Sequence, residues 1–308
     1  MRDSDPVAAF AAEVGPPAAG AVVAVGGRTQ WDVGGRPDPE AGAREVGAPA
    51  GVVALEAADM TVTVLAGTPV AAVDDALAGV GQAVALPAPP GATVGGILAV
   101  GRSGLLRLGW GPVRDAVLRV RYVSAEGHVV TAGGPTVKNV SGFDLCRLLV
   151  GSLGTLGLLA EVTLRTRPLP ATERWLTAEA DPFYLVRALH RPLSVLWDGV
   201  TTWVLLAGHP GDVAAEAAAH GLVDAPGPPP LPPHRWSLRP GELRGLASPP
   251  PGGVPGRFVA EVGVGVVHAD VPPPPRSVEP AVAGLHHRIK DLFDPTGRLA
   301  PGRHPWAA

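Results

Sequence analysis

The sequence predicts an α+β protein in which a Gly-rich first half of short strands and loops precedes a smaller domain of hairpins and helices. Three observations carry this. Hydrophobic residues make up 46% of the 308 residues and charged residues 17%, enough apolar material for a large core. Gly and Pro supply a quarter of the chain, near the level that marks low complexity, but they are unevenly placed. Residues 26–157 hold 24 Gly and 9 Pro, whereas residues 158–308 hold 15 Gly and 24 Pro. Finally, the element pattern changes at Pro168-Leu169-Pro170, with strands and Gly loops before it and helices alternating with hairpins after it.

In chain order, Ala21–Val25, Val52–Leu55 and Thr61–Leu65 read as strands, the last alternating β-branched residues with period two. Thr68-Pro69 opens a helix, with Thr68 as the cap, Pro69 preset at the first helical position and Val70, Val73 and Leu77 on one face. Val117–Val123 and His128–Thr131 form a hairpin around Glu126-Gly127. Gly142–Val150 is a helix and Leu156–Thr166 a closing strand. Beyond residue 170 come strand Arg174–Ala178, helix Pro182–His190, strands Leu193–Trp197 and Thr202–Ala207, and helix Asp212–His220. Residues 225–256 are too rich in Pro and Gly for regular structure and read as an extended loop. A strand pair at Arg257–Val267 and an amphipathic helix at Val278–Phe293 complete the chain.

The net charge of -3 comes from 25 basic and 28 acidic residues without long like-charged runs, which argues against nucleic acid or an anionic membrane as partner. Lys138 and Lys290 are the only lysines, a bias of GC-rich genomes rather than a functional sign. Cys146 is the single cysteine, so no internal disulfide or Cys-rich metal motif exists. With no apolar run of 18 residues and an acidic, Pro-interrupted beginning, a soluble cytoplasmic protein is expected.

Three Gly-centred segments stand out. Gly26-Gly27-Arg28-Thr29-Gln30 follows a strand, and its converging amides suit a pyrophosphate; a plain hairpin turn is the alternative. Pro90-Gly91-Ala92-Thr93-Val94-Gly95-Gly96, continuing to Ala99, Gly101, Arg102, Ser103 and Gly104, reads as a ligand-facing loop in which Thr93 and Ser103 offer hydroxyls. Packing of small residues between helices is the alternative, but Gly at this density is poor helix material. Third, Lys138-Asn139-Val140-Ser141-Gly142-Phe143-Asp144 precedes Gly151-Ser152-Leu153-Gly154-Thr155-Leu156-Gly157-Leu158. Its Gly-x-x-Gly-x-x-Gly spacing is neither the Rossmann fingerprint nor a P-loop.

Taken in order, these segments and the tail FDPTGRLAPGR closely resemble the FAD-binding domain of the vanillyl-alcohol oxidase/p-cresol methylhydroxylase (PCMH) type. The resemblance is strongest over roughly residues 20–168 and 285–303, and is closest to the FAD-binding subunits of bacterial glycolate oxidases. It implies a two-subdomain PCMH-type FAD domain at 1–168, a reduced α+β cap or substrate domain at 169–284, and a C-terminal helix and tail at 285–308 returning to the FAD domain. Gly26, Gly27, Arg28, Thr29 and Gln30 would cradle the FAD pyrophosphate. Pro90, Gly91, Thr93, Val94, Gly95 and Gly96 would line the diphosphate and isoalloxazine edge, continued by Arg102, Ser103 and Gly104. Gly157 and Leu158 would lie near adenine and ribose. Lys138 would bring a positive charge to the flavin N1/C2 carbonyl, a solvated surface lysine being the alternative. Arg114-Asp115 reads as a structural ion pair.

Departures from the family pattern shape the expectation. The first loop has Arg28 and no His, so FAD should be held non-covalently. Phe143 replaces a Tyr, and Ala300 stands where an Asn often precedes Pro-Gly. Gly208-His209-Pro210-Gly211-Asp212 begins like a metal-binding His cluster but lacks the second His, and reads as a turn and helix cap. No metal site is expected, His286-His287 read as surface residues, and the catalytic base is not identified. Arg147, Arg257 and Arg303 are candidate carboxylate partners, each with a structural alternative. The resemblance thus implies a FAD-carrying subunit of a 2-hydroxy acid-oxidising complex, with a catalytic flavoprotein and an iron–sulfur subunit as partners, and peripheral membrane attachment only through them. A free-standing FAD-dependent dehydrogenase and a non-catalytic assembly subunit are the other readings.

Overall fold

Short strands, some alternating apolar and polar residues at period two and others buried throughout, form the sheets of the structure. The computed structural model describes residues 5–134, 144–247, 253–274 and 278–305. The chain divides into two units, one of residues 1–103, 112–169 and 276–308, the other of residues 104–111 and 170–275.

In the first unit, a five-stranded antiparallel sheet runs in the order Val52–Glu56, Thr61–Leu65, Leu158–Arg165, Val117–Val123, Val129–Gly133. Its centre is the strand Leu158–Arg165, buried along nearly its whole length, as expected of a strand covered on both faces. One core gathers Val62, Val64, Val120, Val162 and Leu164 with Val73 and Leu77 of the helix Val70–Ala78. A second core joins the N-terminal helix Pro6–Val14 to Val22, Val123, Leu158 and Leu299. A short parallel pair, Val22–Val25 with Arg44–Gly47, lies in the same unit. The last helix, Pro280–Phe293, lies whole in this unit.

The second unit is a seven-stranded antiparallel sheet in the order Val223–Asp224, Thr172–Ala178, Thr202–Gly208, Ser194–Trp197, Phe258–Glu261, Val266–Ala269, His234–Ser237. The helices Pro182–Ala188 and Pro210–Ala219 pack on it through Leu185, Val213 and Ala217. His209 caps the second of these helices, its Nδ1 accepting from the Gly211 amide at 3.2 Å, which is the cap read from the sequence.

Four local expectations change. Thr68 does not cap its helix; Pro69 is the N-cap, and the Thr68 hydroxyl donates to the Leu65 carbonyl at 2.6 Å while accepting from the Gly51 amide at 2.9 Å. Residues 94–100 form a helix rather than a loop. Residues 225–256 are not structureless: His234–Ser237 is an edge strand paired with Val266–Ala269, and Pro240–Gly245 is a 3-10 turn. Trp236 anchors that edge, its indole donating to the Val271 carbonyl at 2.8 Å. Of the helix expected at 142–150, residues 142 and 143 lie outside the described residues; the rest is Leu145–Leu149, capped by the Asp144 carboxylate, which accepts from the Arg147 amide.

Candidate functional site: a small-residue pocket closed by the tail

The first Gly loop leaves the strand Val22–Val25 and runs against the turn 89–92. A Cβ on Gly27 would stand 1.6 Å from the Gly91 carbonyl oxygen, and one on Gly26 would stand 2.3 Å from Thr93 Oγ1. Only glycine permits that approach. Arg28 adopts a left-handed φ of 55°, pairs with Glu45 and lies 5.3 Å from the centre of the Trp31 ring.

Thr93 starts the helix Val94–Val100 as its N-cap, accepting from the Gly96 amide at 3.2 Å. Glycine survives in this helix because another backbone lies on it. The Gly95 amide donates to the Ala66 carbonyl at 2.7 Å, and a Cβ there would lie 2.8 Å from the Ala66 methyl. Tertiary contact and the cap together outweigh glycine's cost of about 1 kcal/mol in a helix.

The loop after Leu145–Leu149 docks on the end of that helix. The Gly151 amide donates to the Leu98 carbonyl at 2.9 Å and the Leu153 amide to Ala99 at 2.8 Å. Gly151, Leu153 and Gly154 all have positive φ, at 85°, 56° and 78°, so the chain folds back tightly. Gly157 lies under Tyr122, where a Cβ would sit 2.4 Å from the ring.

The C-terminal tail completes the enclosure. Buried Asp294 accepts from the Arg298 amide at 3.1 Å and the Leu299 amide at 2.7 Å, and pairs with Lys290. Lys290 also donates to the carbonyls of Thr155 and Leu299 at 2.8 and 3.0 Å. From this knot Leu299 bridges to Val22, and Arg303 reaches the first loop, its Nη2 donating to the Val33 and Trp31 carbonyls at 2.8 and 3.3 Å.

These segments wall a cavity of about 90 Å³ that opens to solvent. Eleven of its 23 lining residues are Gly or Ala, so a ligand there meets backbone. Gly26, Gly27, Arg28, Thr29, Gln30, Thr93, Gly95, Gly96, Gly157 and Leu158 line it. Others do not. Val94 is fully buried in the core of the first unit. Pro90 and Gly91 form the turn behind Gly27 and are absent from the lining. Arg102, Ser103 and Gly104 follow the helix and are also absent; the Ser103 hydroxyl accepts from the Val113 amide at 3.1 Å. Lys138 and Phe143 fall outside the described residues. Asp115 pairs with Arg147 at 3.1 Å and with Arg114 at 3.9 Å, the structural role read for Arg114-Asp115.

The sequence reading assigned no cofactor role to Trp31, Ala66, Gly67, the stretch Ser152–Gly154 or Arg303, all of which line the cavity. Ser152–Gly154 belongs to the third Gly motif and was signalled by it. Trp31 and Arg303, brought together across the chain with the guanidinium carbon 5.1 Å from the ring centre, carry no local signal.

Among the described residues, the lining contains two arginines and no Asp or Glu. Arg303 is 9% exposed, its Nε is buried without a hydrogen-bond partner, and burial pushes its pKa down. A backbone-lined, cation-bearing cavity with one unspent donor fits an elongated anionic ligand such as a dinucleotide. Among the described residues no group of three His, Cys, Asp or Glu could hold a metal ion, and no helix is long and apolar enough to cross a membrane. Cys146 is buried, its thiol pushed up by burial, which makes it unreactive.

Residues 20–133 match the FAD binding domain family. Subunit GlcE of glycolate oxidase from Escherichia coli is 39% identical over 125 residues, covering 39% of this chain and 35% of that protein. The mitochondrial D-lactate dehydrogenase (cytochrome) of Arabidopsis thaliana is 38% identical over 119 residues, covering 39% of this chain and 21% of that protein. Glycolate oxidase subunit GlcD of Bacillus subtilis is 41% identical over 86 residues, 28% of this chain and 18% of that protein. The matched stretches thus span about a third or less of these relatives. A solved alkyldihydroxyacetonephosphate synthase shares the fold, with a TM-score of 0.65 at 13% identity over 96% of this chain and 73% of that one. Family match and fold agree with the chemistry of the cavity: residues 20–133 carry an FAD binding domain, similar in sequence to glycolate oxidase subunits and D-lactate dehydrogenases, and FAD is the cofactor that this domain indicates.

Proposed function

We propose that the chain is an FAD-dependent oxidoreductase subunit of a glycolate oxidase-like complex that oxidises small 2-hydroxy acids, working with a catalytic flavoprotein subunit and an iron–sulfur subunit. The observation that carries this is the small-residue cavity inside a domain whose sequence relatives include glycolate oxidase subunits. When bound, FAD supplies the acceptor for the electron pair. The protein's part is to bind and orient it. The amides of Gly26 to Gln30 and the Thr93 wall would take the diphosphate, and the apolar Ala24, Val25, Val100 and Leu159 would keep water from the ring system. Among the described residues, none that lines the cavity is His, Cys or Tyr, the usual covalent flavin anchors, which supports non-covalent binding.

The test uses the purified full chain. Expected are a flavin absorbance spectrum released by denaturation, a melting temperature raised by added FAD, and anaerobic bleaching by glycolate only once the partner subunits are added. No flavin and no thermal response to FAD would remove the redox reading. Bleaching by glycolate or D-lactate without partners would make the chain a free-standing dehydrogenase instead.

A further inference from the structure

Arg303 is the one lining cation without an acidic partner among the described residues. Among the described residues, Arg28, the other lining cation, is paired with Glu45, whereas Arg303 forms no ion pair and spends only Nη2, on the carbonyls of Val33 and Trp31. Its Nε is buried and has no partner. A guanidinium held out of water with neither a counter-charge nor full hydrogen bonding is costly to keep, and the tail goes to some length to keep it. Asp294, Lys290 and Arg298 fix residues 298–300, Ala300 takes φ 45°, and the His304 amide is held by the Gly34 carbonyl at 2.7 Å.

We infer that Arg303 is a diphosphate-binding residue, its Nε–H reserved for an anionic oxygen of FAD, so that the C-terminal tail forms part of the cofactor site. The diphosphate is the anion chosen because Arg303 sits on Trp31 and Val33, directly after the Gly26–Gln30 loop whose amides favour the same group. The inference rests on reading the cavity as the FAD site. The rival is that Arg303 only straps the tail to the first loop.

The experiment measures dissociation constants of FAD, ADP and riboflavin for the full chain, stripped of flavin, and for Arg303→Met and Arg303→Lys. ADP carries the diphosphate without the flavin, and riboflavin the flavin without the diphosphate. Arg303→Met is expected to weaken FAD and ADP about 10- to 100-fold and leave riboflavin unchanged. Arg303→Lys, which keeps the charge but loses the Nε donor, is expected to weaken FAD and ADP severalfold and decides the matter if the Met variant does not fold. FAD and ADP within twofold of the parent chain in the folded variants, or an equal loss for riboflavin, would overturn the inference. A parent chain that binds neither FAD nor ADP would overturn the reading of the cavity itself, a separate result.

Discussion

Arg298 offers the sharpest test of how the tail is held. Its side chain is 4% exposed and donates to four main-chain carbonyls: Nε to Gly20 at 2.8 Å, Nη1 to Gly15 at 2.9 Å and Ala125 at 2.8 Å, and Nη2 to Val14 at 2.9 Å. One side chain thus ties the end of the N-terminal helix, the 124–128 hairpin turn and the C-terminal tail. Replacing it by Met keeps much of the apolar stem but leaves the buried carbonyls of Gly15 and Ala125 without a donor; the Val14 carbonyl keeps Arg44 Nη2 at 3.0 Å, and Gly20 is exposed to water. At about 1 kcal/mol for each unsatisfied buried carbonyl the loss is about 2 kcal/mol, before any relief from removing a desolvated charge. For a unit of this size that corresponds to a drop of about 4–8 °C in melting temperature. Thermal and urea unfolding of the flavin-free chain, followed by Trp fluorescence, measure it. Arg298→Lys, which keeps the charge but cannot reach all four carbonyls, should lose about half as much. A change below about 1 kcal/mol for Arg298→Met would refute the reasoning, because it would mean that water or a shift of the backbone satisfies the Gly15 and Ala125 carbonyls without cost.

Three further outcomes are expected. Gly27→Ala places a methyl on the Gly91 carbonyl, so the two loops must part; unfolding measurements should show a loss of about 1–3 kcal/mol, and FAD should bind at least about tenfold more weakly. Ala300→Gly should stabilise the flavin-free chain by about 0.5–1 kcal/mol, since a left-handed φ of 45° costs an L-residue about 1–2 kcal/mol and the looser unfolded chain returns part of it; a lower melting temperature would show that the Ala300 methyl packs to more effect than its strain costs. Burial, helped by neighbouring Asp75, raises the pKa of Asp74 above its ordinary 3.8. The folded state therefore holds that proton more tightly than the unfolded state does, and stability is lost as pH rises from 3.8 through the raised value. Asp74→Asn should melt higher than the parent at pH 7 and equal to it near pH 3; an equal difference at both pH values would point away from ionisation.

Strand positions were legible because period-two alternation is a local signal. Thr61–Leu65 and Val117–Val123 appear where the pattern puts them. The helix Val94–Val100 was not, since its two glycines oppose helix by propensity and the forces that win are the Thr93 cap and the backbone of Ala66. His234–Ser237 was missed because a four-residue edge strand between prolines has no period to detect, and its partner Val266–Ala269 lies some thirty residues on. In the site, the Gly loops announced themselves, whereas Trp31 and Arg303 meet only after folding and the direction of the Val94 side chain follows from the helix that was not foreseen.

The glycines themselves take on a different meaning once their neighbours are known. Abundant Gly in the first half reads, from sequence, as room for a ligand against the backbone. In the structure many of these glycines face protein instead: Gly27 meets Gly91, Gly67 the Ala48 carbonyl, Gly101 the Gly151 backbone, Gly34 the His304 carbonyl, and Gly157 the Tyr122 ring. Each lets two segments approach more closely than a Cβ would permit, and it is their convergence that leaves a cavity between them. Glycine therefore makes the pocket chiefly by bringing its walls together, and only secondarily by clearing space within it. The two roles separate experimentally: a wall-joining glycine such as Gly27 or Gly101, changed to Ala, should destabilise the flavin-free protein, whereas one that merely clears space for the cofactor should lower FAD affinity at unchanged flavin-free stability.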